Sequence, residues 1–199
     1  GFTSLTRRST ETELVDVVDR FETIAAEVIA ENHGRIVKML GDEVLFVADS
    51  PTDGAEIALT LVDRAEEAEG VPSLRAGLAF GRVLARFGDV YGSVVNIASR
   101  LTSIARPGTV LIDRELSEAL TDEPAYAVRH RRPTSVRGYA RLRSASLHRA
   151  DANDSWAGGG GALYSRDMWA RRTQRAMGYP SSDGERVHLY INGIYWGLY

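Results

Sequence analysis

Five side chains in the first hundred residues carry whatever chemistry this sequence can do. Of the 24 Lys plus Arg, Lys38 is the single lysine and the remaining 23 are arginine. An ammonium is a compact point donor and a guanidinium a planar fork, so a site that needs one donor to one ring nitrogen selects lysine. Chance survival of one codon is the plainer alternative. Asp42 follows Gly41 in a tight turn between two apolar runs, where a carboxylate presented rigidly to solvent can bind a divalent metal. Gly-Asp is also simply a good turn dipeptide. Asn96, Arg100 and Ser103 share one helix face. An amide donor and a forked cation one turn apart can reach a single phosphate, and an ordinary solvated helix face has the same pattern. Asp89 stands in a glycine-flanked loop before that helix and signals nothing by itself.

The elements that must hold these residues follow from periodicity. Leu14, Val17, Val18, Phe21, Ile24, Val28 and Ile29 recur at helical spacing and predict an amphipathic helix over 11–32. His33-Gly34 ends it, with Gly34 as the stop. RIVKML and EVLFVA are two strands turned by Gly41-Asp42. Residues 53–69 are helical. SLRAGLAFGRVLARFG is two strands broken by Gly81, and residues 93–105 form a second amphipathic helix with Val94, Ile97, Ala98, Leu101, Ile104 and Ala105 as its buried stripe. GTVLID is a strand, RELSEALT a short helix, and further strands run to His148. Helices alternating with strands and hairpins define an α+β class, a ferredoxin-like mixed sheet with flanking helices.

Composition narrows the function. The 199 residues are 44% hydrophobic and 26% charged, ordinary for a globular protein. A net charge of -3 gives no basic footprint for nucleic acid. The absence of cysteine excludes disulfides and thiolate metal sites. No apolar run approaches the roughly 20 residues of a membrane helix, and the expected compartment is the cytoplasm. The two halves differ: all three tryptophans follow residue 150 and all five phenylalanines precede it. DANDSWAGGGGA lies between them and has the composition of a flexible joint. The expected organisation is a domain over 1–149, a glycine-rich linker over 150–162 and a separate segment over 163–199. The alternative is one domain with an aromatic C-terminal subdomain.

Taken together, GFTSL at 1–5, KMLGDE at 38–43 and GDVYGSVVNIASRL at 88–101 resemble the catalytic domain of class III adenylyl cyclases. Order and spacing match over about 1–149, ending in VRGYARLRSASLHR. The resemblance implies that Lys38 and Asp89 read adenine, the lysine donating to a ring nitrogen and the carboxylate accepting from the exocyclic amine. ATP is then the substrate. It implies further that Asp42 holds Mg²⁺ or Mn²⁺, two ions per complete site. Asn96 orients the ribose, Arg100 stabilises charge on the α-phosphate, and the backbone of Gly1, Phe2 and Thr3 cradles the polyphosphate. A homodimer is implied, through the strands around Gly81 to Gly88, with the site between protomers. In this family a first metal aspartate stands three residues before the position of Gly1, so the chain as given has one metal carboxylate. Little or no cyclase activity is expected of the 199 residues, even where the parent is an enzyme. The competing expectation is a non-catalytic homologue that dimerises or senses nucleotide.

The tail predicts a basic helix over 165–177, stopped by Gly178, and a hairpin turned by Asn192-Gly193. Residues from about 153 to 199 resemble a fragment of the CotH-type spore-coat kinases, through LYINGIYWGLY. That family's metal-binding acidic segments are missing, so no kinase chemistry is expected. A third reading makes the chain a piece of a kinase-like surface protein with its first half as an appended regulator.

Overall fold

The computed structural model describes residues 11–150. Gly1, Phe2 and Thr3 lie outside the described residues, as do the rest of the joint, the helix expected at 165–177 and the Asn192-Gly193 hairpin.

Helix α1 (Glu11–Glu31) buries Phe21, Val28 and Ile29 of the expected stripe and Ala25 beside them, while Leu14, Val17, Val18 and Ile24 are half-buried. Its stop differs from expectation. His33, with φ 59°, takes the left-handed position, and Gly34 already begins β1 (Gly34–Leu40). Gly34 is needed for space instead, because a Cβ there would stand 2.7 Å from Ile57 Cδ1 and 2.8 Å from Ile29 Cγ2. Strand β1 pairs antiparallel with β2 (Glu43–Ala48) across Gly41, φ 63°. Helix α2 (Pro51–Glu67) starts where Ser50 Oγ accepts from Asp53 N at 3.0 Å and Pro51 occupies the first turn.

A four-stranded sheet runs β3 (Arg75–Leu78), β6 (Thr109–Ile112), β10 (Ala145–Arg149), β7 (Tyr126–His130). β3 and β6 are parallel and the other pairings antiparallel, so the sheet is mixed. A parallel pair needs a crossover, and α3 (Ser93–Ile104) provides it. The two-residue period sorts the faces. Ala76, Leu78, Val110 and Ile112 join the core under α1 and α2. Leu111 packs with Leu101 of α3, and Gly77 also faces that helix. Helix α4 (Arg114–Ala119) follows β6 directly.

Two further hairpins lie outside the four-stranded sheet, as β1–β2 does. β8 (Thr134–Val136) pairs with β9 (Tyr139–Leu142). β4 (Leu84–Arg86) pairs with β5 (Asp89–Tyr91) through Phe87 and Gly88, at φ 52° and 79°. Two consecutive positive φ values form the turn type that suits a two-residue hairpin. Asp89 therefore opens a strand, where the sequence suggested a loop, because the turn is complete by Gly88.

Candidate active site

Lys38 reaches the site through an irregularity in β1. Ile36 pairs with Phe46, on the face packed under α1 and α2. Strict alternation would send Lys38 to that same face. The register shifts between Ile36 and Lys38, so Lys38 pairs with Leu45, whose side chain packs with Val90 of β5 on the other face. One extra residue, Val37, thus turns the lysine toward the β4–β5 hairpin, a usual effect of a β-bulge.

There Lys38 Nζ donates to Asp89 Oδ2 at 2.8 Å, with the side chains 36% and 32% exposed. Val90 N–H donates to the other carboxylate oxygen at 2.8 Å. The lysine hydrogen bond, then the Val90 N–H, hold the Asp89 carboxyl below its ordinary range. The result is a positive donor and a negative acceptor side by side, half open to solvent.

Asn96 and Arg100 lie on α3, exposed and half-buried respectively. The helix is held by Ala98, Leu101 and Thr102 on its buried face. Neither the Asn96 nor the Arg100 side chain makes a hydrogen bond or ion pair among the described residues. Since β5 runs straight into α3 through Gly92, Asp89 and these two residues belong to one continuous segment.

Asp42 departs from expectation. It is 2% exposed, not displayed at the hairpin tip. Asp42 lines a small cavity with Val17, Val18, Phe21 and Leu74. Among the described residues no group of three or more His, Cys, Asp or Glu could hold a metal ion. A hard dication takes six or more oxygen ligands, so Asp42 with the described residues does not complete such a site.

One further buried acid stands outside this group. Asp113 caps α4, accepting from Leu116 N at 2.9 Å and from Phe80 N at 3.3 Å. Burial pushes its carboxyl up to about 7, against those backbone donors and with help from Glu115. A groove beside α2, lined in part by Asp63, Arg129, His148 and Arg149, lies on the face away from α3 and contains none of the residues singled out by sequence. The sequence alone did not show the Lys38–Asp89 contact or the close approach of Gly77 to α3. An isolated glycine inside the strand pattern LRAGLA was the available signal for the latter.

A mixed sheet with flanking helices is the fold of the nucleotide cyclases. The family of the adenylate and guanylate cyclase catalytic domain matches residues 1–149, and the chain belongs to it. It is 52% identical over 128 residues to an adenylate cyclase of Streptomyces coelicolor, covering 63% of this chain and 34% of that protein. It is 43% identical over 147 residues to an adenylate cyclase of Glutamicibacter nicotianae, covering 74% and 36%. The chain thus spans about a third of the length of these relatives. The crystal structure of the adenylyl cyclase CyaB from P. aeruginosa superposes with TM-score 0.62 at 20% identity, over 76% of this chain and 90% of that one, a likeness of fold. Divalent metal ions are general in this family. No helix among the described residues is long and apolar enough to cross a membrane.

Proposed function

We propose that this is the catalytic domain of an adenylyl cyclase, converting ATP to 3′,5′-cyclic AMP and pyrophosphate. The observation that carries the reading is the Lys38–Asp89 pair. Adenine presents a ring acceptor next to an exocyclic amine donor on its pairing edge, and an ammonium beside a carboxylate is the complement of that edge. Guanine has the reverse order, a carbonyl acceptor beside a ring N–H, and meets like against like. Names of the relatives in Streptomyces and Glutamicibacter support the same choice.

In the reaction, the ribose 3′-oxygen bonds to the α-phosphorus, the bond from that phosphorus to the bridging oxygen breaks, pyrophosphate leaves and the 3′-hydroxyl proton is lost. Lys38 and Asp89 fix the base. Asn96 orients the ribose, and Arg100 offers its charge to the α-phosphate as negative charge builds there. The backbone of Gly1, Phe2 and Thr3 is proposed to cradle the polyphosphate. Asp42 is the proposed ligand for Mg²⁺ or Mn²⁺, an ion that neutralises phosphate charge when bound. A second copy of the chain is the proposed partner, with the site between protomers. The β4–β5 hairpin supports this, since Leu84, Phe87 and Tyr91 are 62%, 92% and 52% exposed.

A second reading has one observation in its favour. The burial of Asp42 suits a module that binds ATP and dimerises without cyclising it. The Lys38→Gln variant tests base reading in either case. It is expected to lower ATP binding and turnover by about tenfold or more, the worth of a charged hydrogen bond, with GTP little changed and the melting temperature held within a few degrees. Equal losses for both nucleotides in a destabilised protein would contradict the assignment.

A further inference from the structure

Helix α3 lies closer to β3 than a side chain allows. A Cβ on Gly77 would come within 3.0 Å of Thr102 N, Ala98 O and Thr102 Oγ1, two of them backbone atoms and all within one helix turn. Neither partner can give way easily. Ala98 and Thr102 are fully buried there, and the Thr102 hydroxyl is folded back onto Ala98 O at 3.0 Å. Gly77 needs no unusual backbone angle, so space alone explains the glycine. The contact sits between residues 98 and 102, and the same stretch of helix carries Asn96 and Arg100 on its other side. A helix is stiff over one turn, so a displacement at this seat passes to both side chains at once. Lys38 and Asp89 stand on β1 and β5, tied to each other at 2.8 Å.

We propose that Gly77 is a positioning residue, whose missing side chain sets the depth of α3 on the sheet and so places Asn96 and Arg100 against a nucleotide held by Lys38 and Asp89. This rests on the cyclase reading above. The alternative is that Gly77 serves packing alone, and the two differ in what a methyl at that position removes.

The test uses protein expressed from the full open reading frame that contains this chain, and compares wild type with Gly77→Ala. Turnover of ATP is expected to fall about 30- to 100-fold, the effect of a displacement near 1 Å on reacting groups. Affinity for a fluorescent ATP analogue should change less than about threefold, since Lys38 and Asp89 keep their places. The Asn96→Ala change, costly in the wild type, should cost less than about threefold in the Gly77→Ala background, because the residue is already out of place. The double change Gly77→Ala with Thr102→Ala removes Thr102 Oγ1, one of the three atoms the added methyl would meet, and should give a smaller loss of the same kind, which serves if Gly77→Ala does not fold. Folded Gly77→Ala with turnover within about twofold of wild type, or with the full Asn96→Ala penalty, would overturn the proposal. Should the wild type form no cyclic AMP, the cyclase reading fails separately. The seat is then judged by the NMR signal of the Asn96 side-chain amide on adding the ATP analogue. A shift in wild type that is absent in Gly77→Ala upholds it, and equal shifts in both overturn it.

Discussion

An ammonium and a carboxylate that touch at 2.8 Å while a third exposed are screened by water, so their contact adds little to the stability of the fold. Its value lies in order: the Lys38 hydrogen bond holds the Asp89 carboxyl below its ordinary range, charged as a base edge requires. That is why glutamine is the informative replacement for Lys38. Glutamate would set two carboxylates together and confound loss of recognition with repulsion. The lone lysine was legible as an anomaly of composition, and the resemblance gave it a role. Its direction was not legible. A period-two reading sends Lys38 under the helices, and only the bulge at Val37 turns it to Asp89. Burial of Asp42 was equally hidden, because a turn dipeptide says nothing of what packs around it.

Local signals named most of the elements, since each helix and strand shows its own period. What they lacked was distance. Nothing in the sequence fixes how closely α3 approaches β3, because that depends on which strand the helix crosses, a non-local fact. The N-cap of α4 is a similar case. Asp113 was read as the end of a strand, yet its carboxylate also receives Phe80 N–H from the segment after β3. A carboxyl raised to about 7 by burial binds its proton more tightly folded than unfolded. Its contribution to stability is therefore present in acid and is lost as pH rises from about 4 through about 7. At about 1.4 kcal/mol per pKa unit, that loss is on the order of a few kcal/mol. Denaturant titrations of wild type and Asp113→Asn at pH 5 and pH 8 check this. The wild type should lose the larger part of its stability between the two, and parallel changes in both proteins would count against it.

At the scale of the molecule, the described residues form a four-stranded sheet with α1 and α2 on one face and α3 on the other, and three two-stranded hairpins, β1–β2, β4–β5 and β8–β9, outside it. A two-stranded hairpin with exposed Leu84, Phe87 and Tyr91 has little to stabilise it alone, which favours a second copy packing against it. Phe87 holds φ 52°, a conformation glycine adopts at no cost. Phe87→Gly should therefore leave the protomer as stable as before and raise the dimer dissociation constant at least about tenfold, as loss of an aromatic interface anchor does. Analytical ultracentrifugation reads this, and an unchanged constant would place the interface elsewhere. The hairpin was legible as strands near Gly81 to Gly88, while its isolation from the main sheet was not, since pairing partners are set by the whole fold.

Arg100 is expected to act on the reaction and not on binding. Wild type and Arg100→Ala, expressed from the full open reading frame, are compared for cyclic AMP formed from ATP and for affinity toward the ATP analogue. The wild type is expected to form cyclic AMP, with a loss of about 10²- to 10³-fold in turnover for Arg100→Ala and analogue affinities within about threefold of each other. A wild type that binds ATP and releases no cyclic AMP, or an Arg100→Ala protein whose turnover and affinity fall together, would contradict that role.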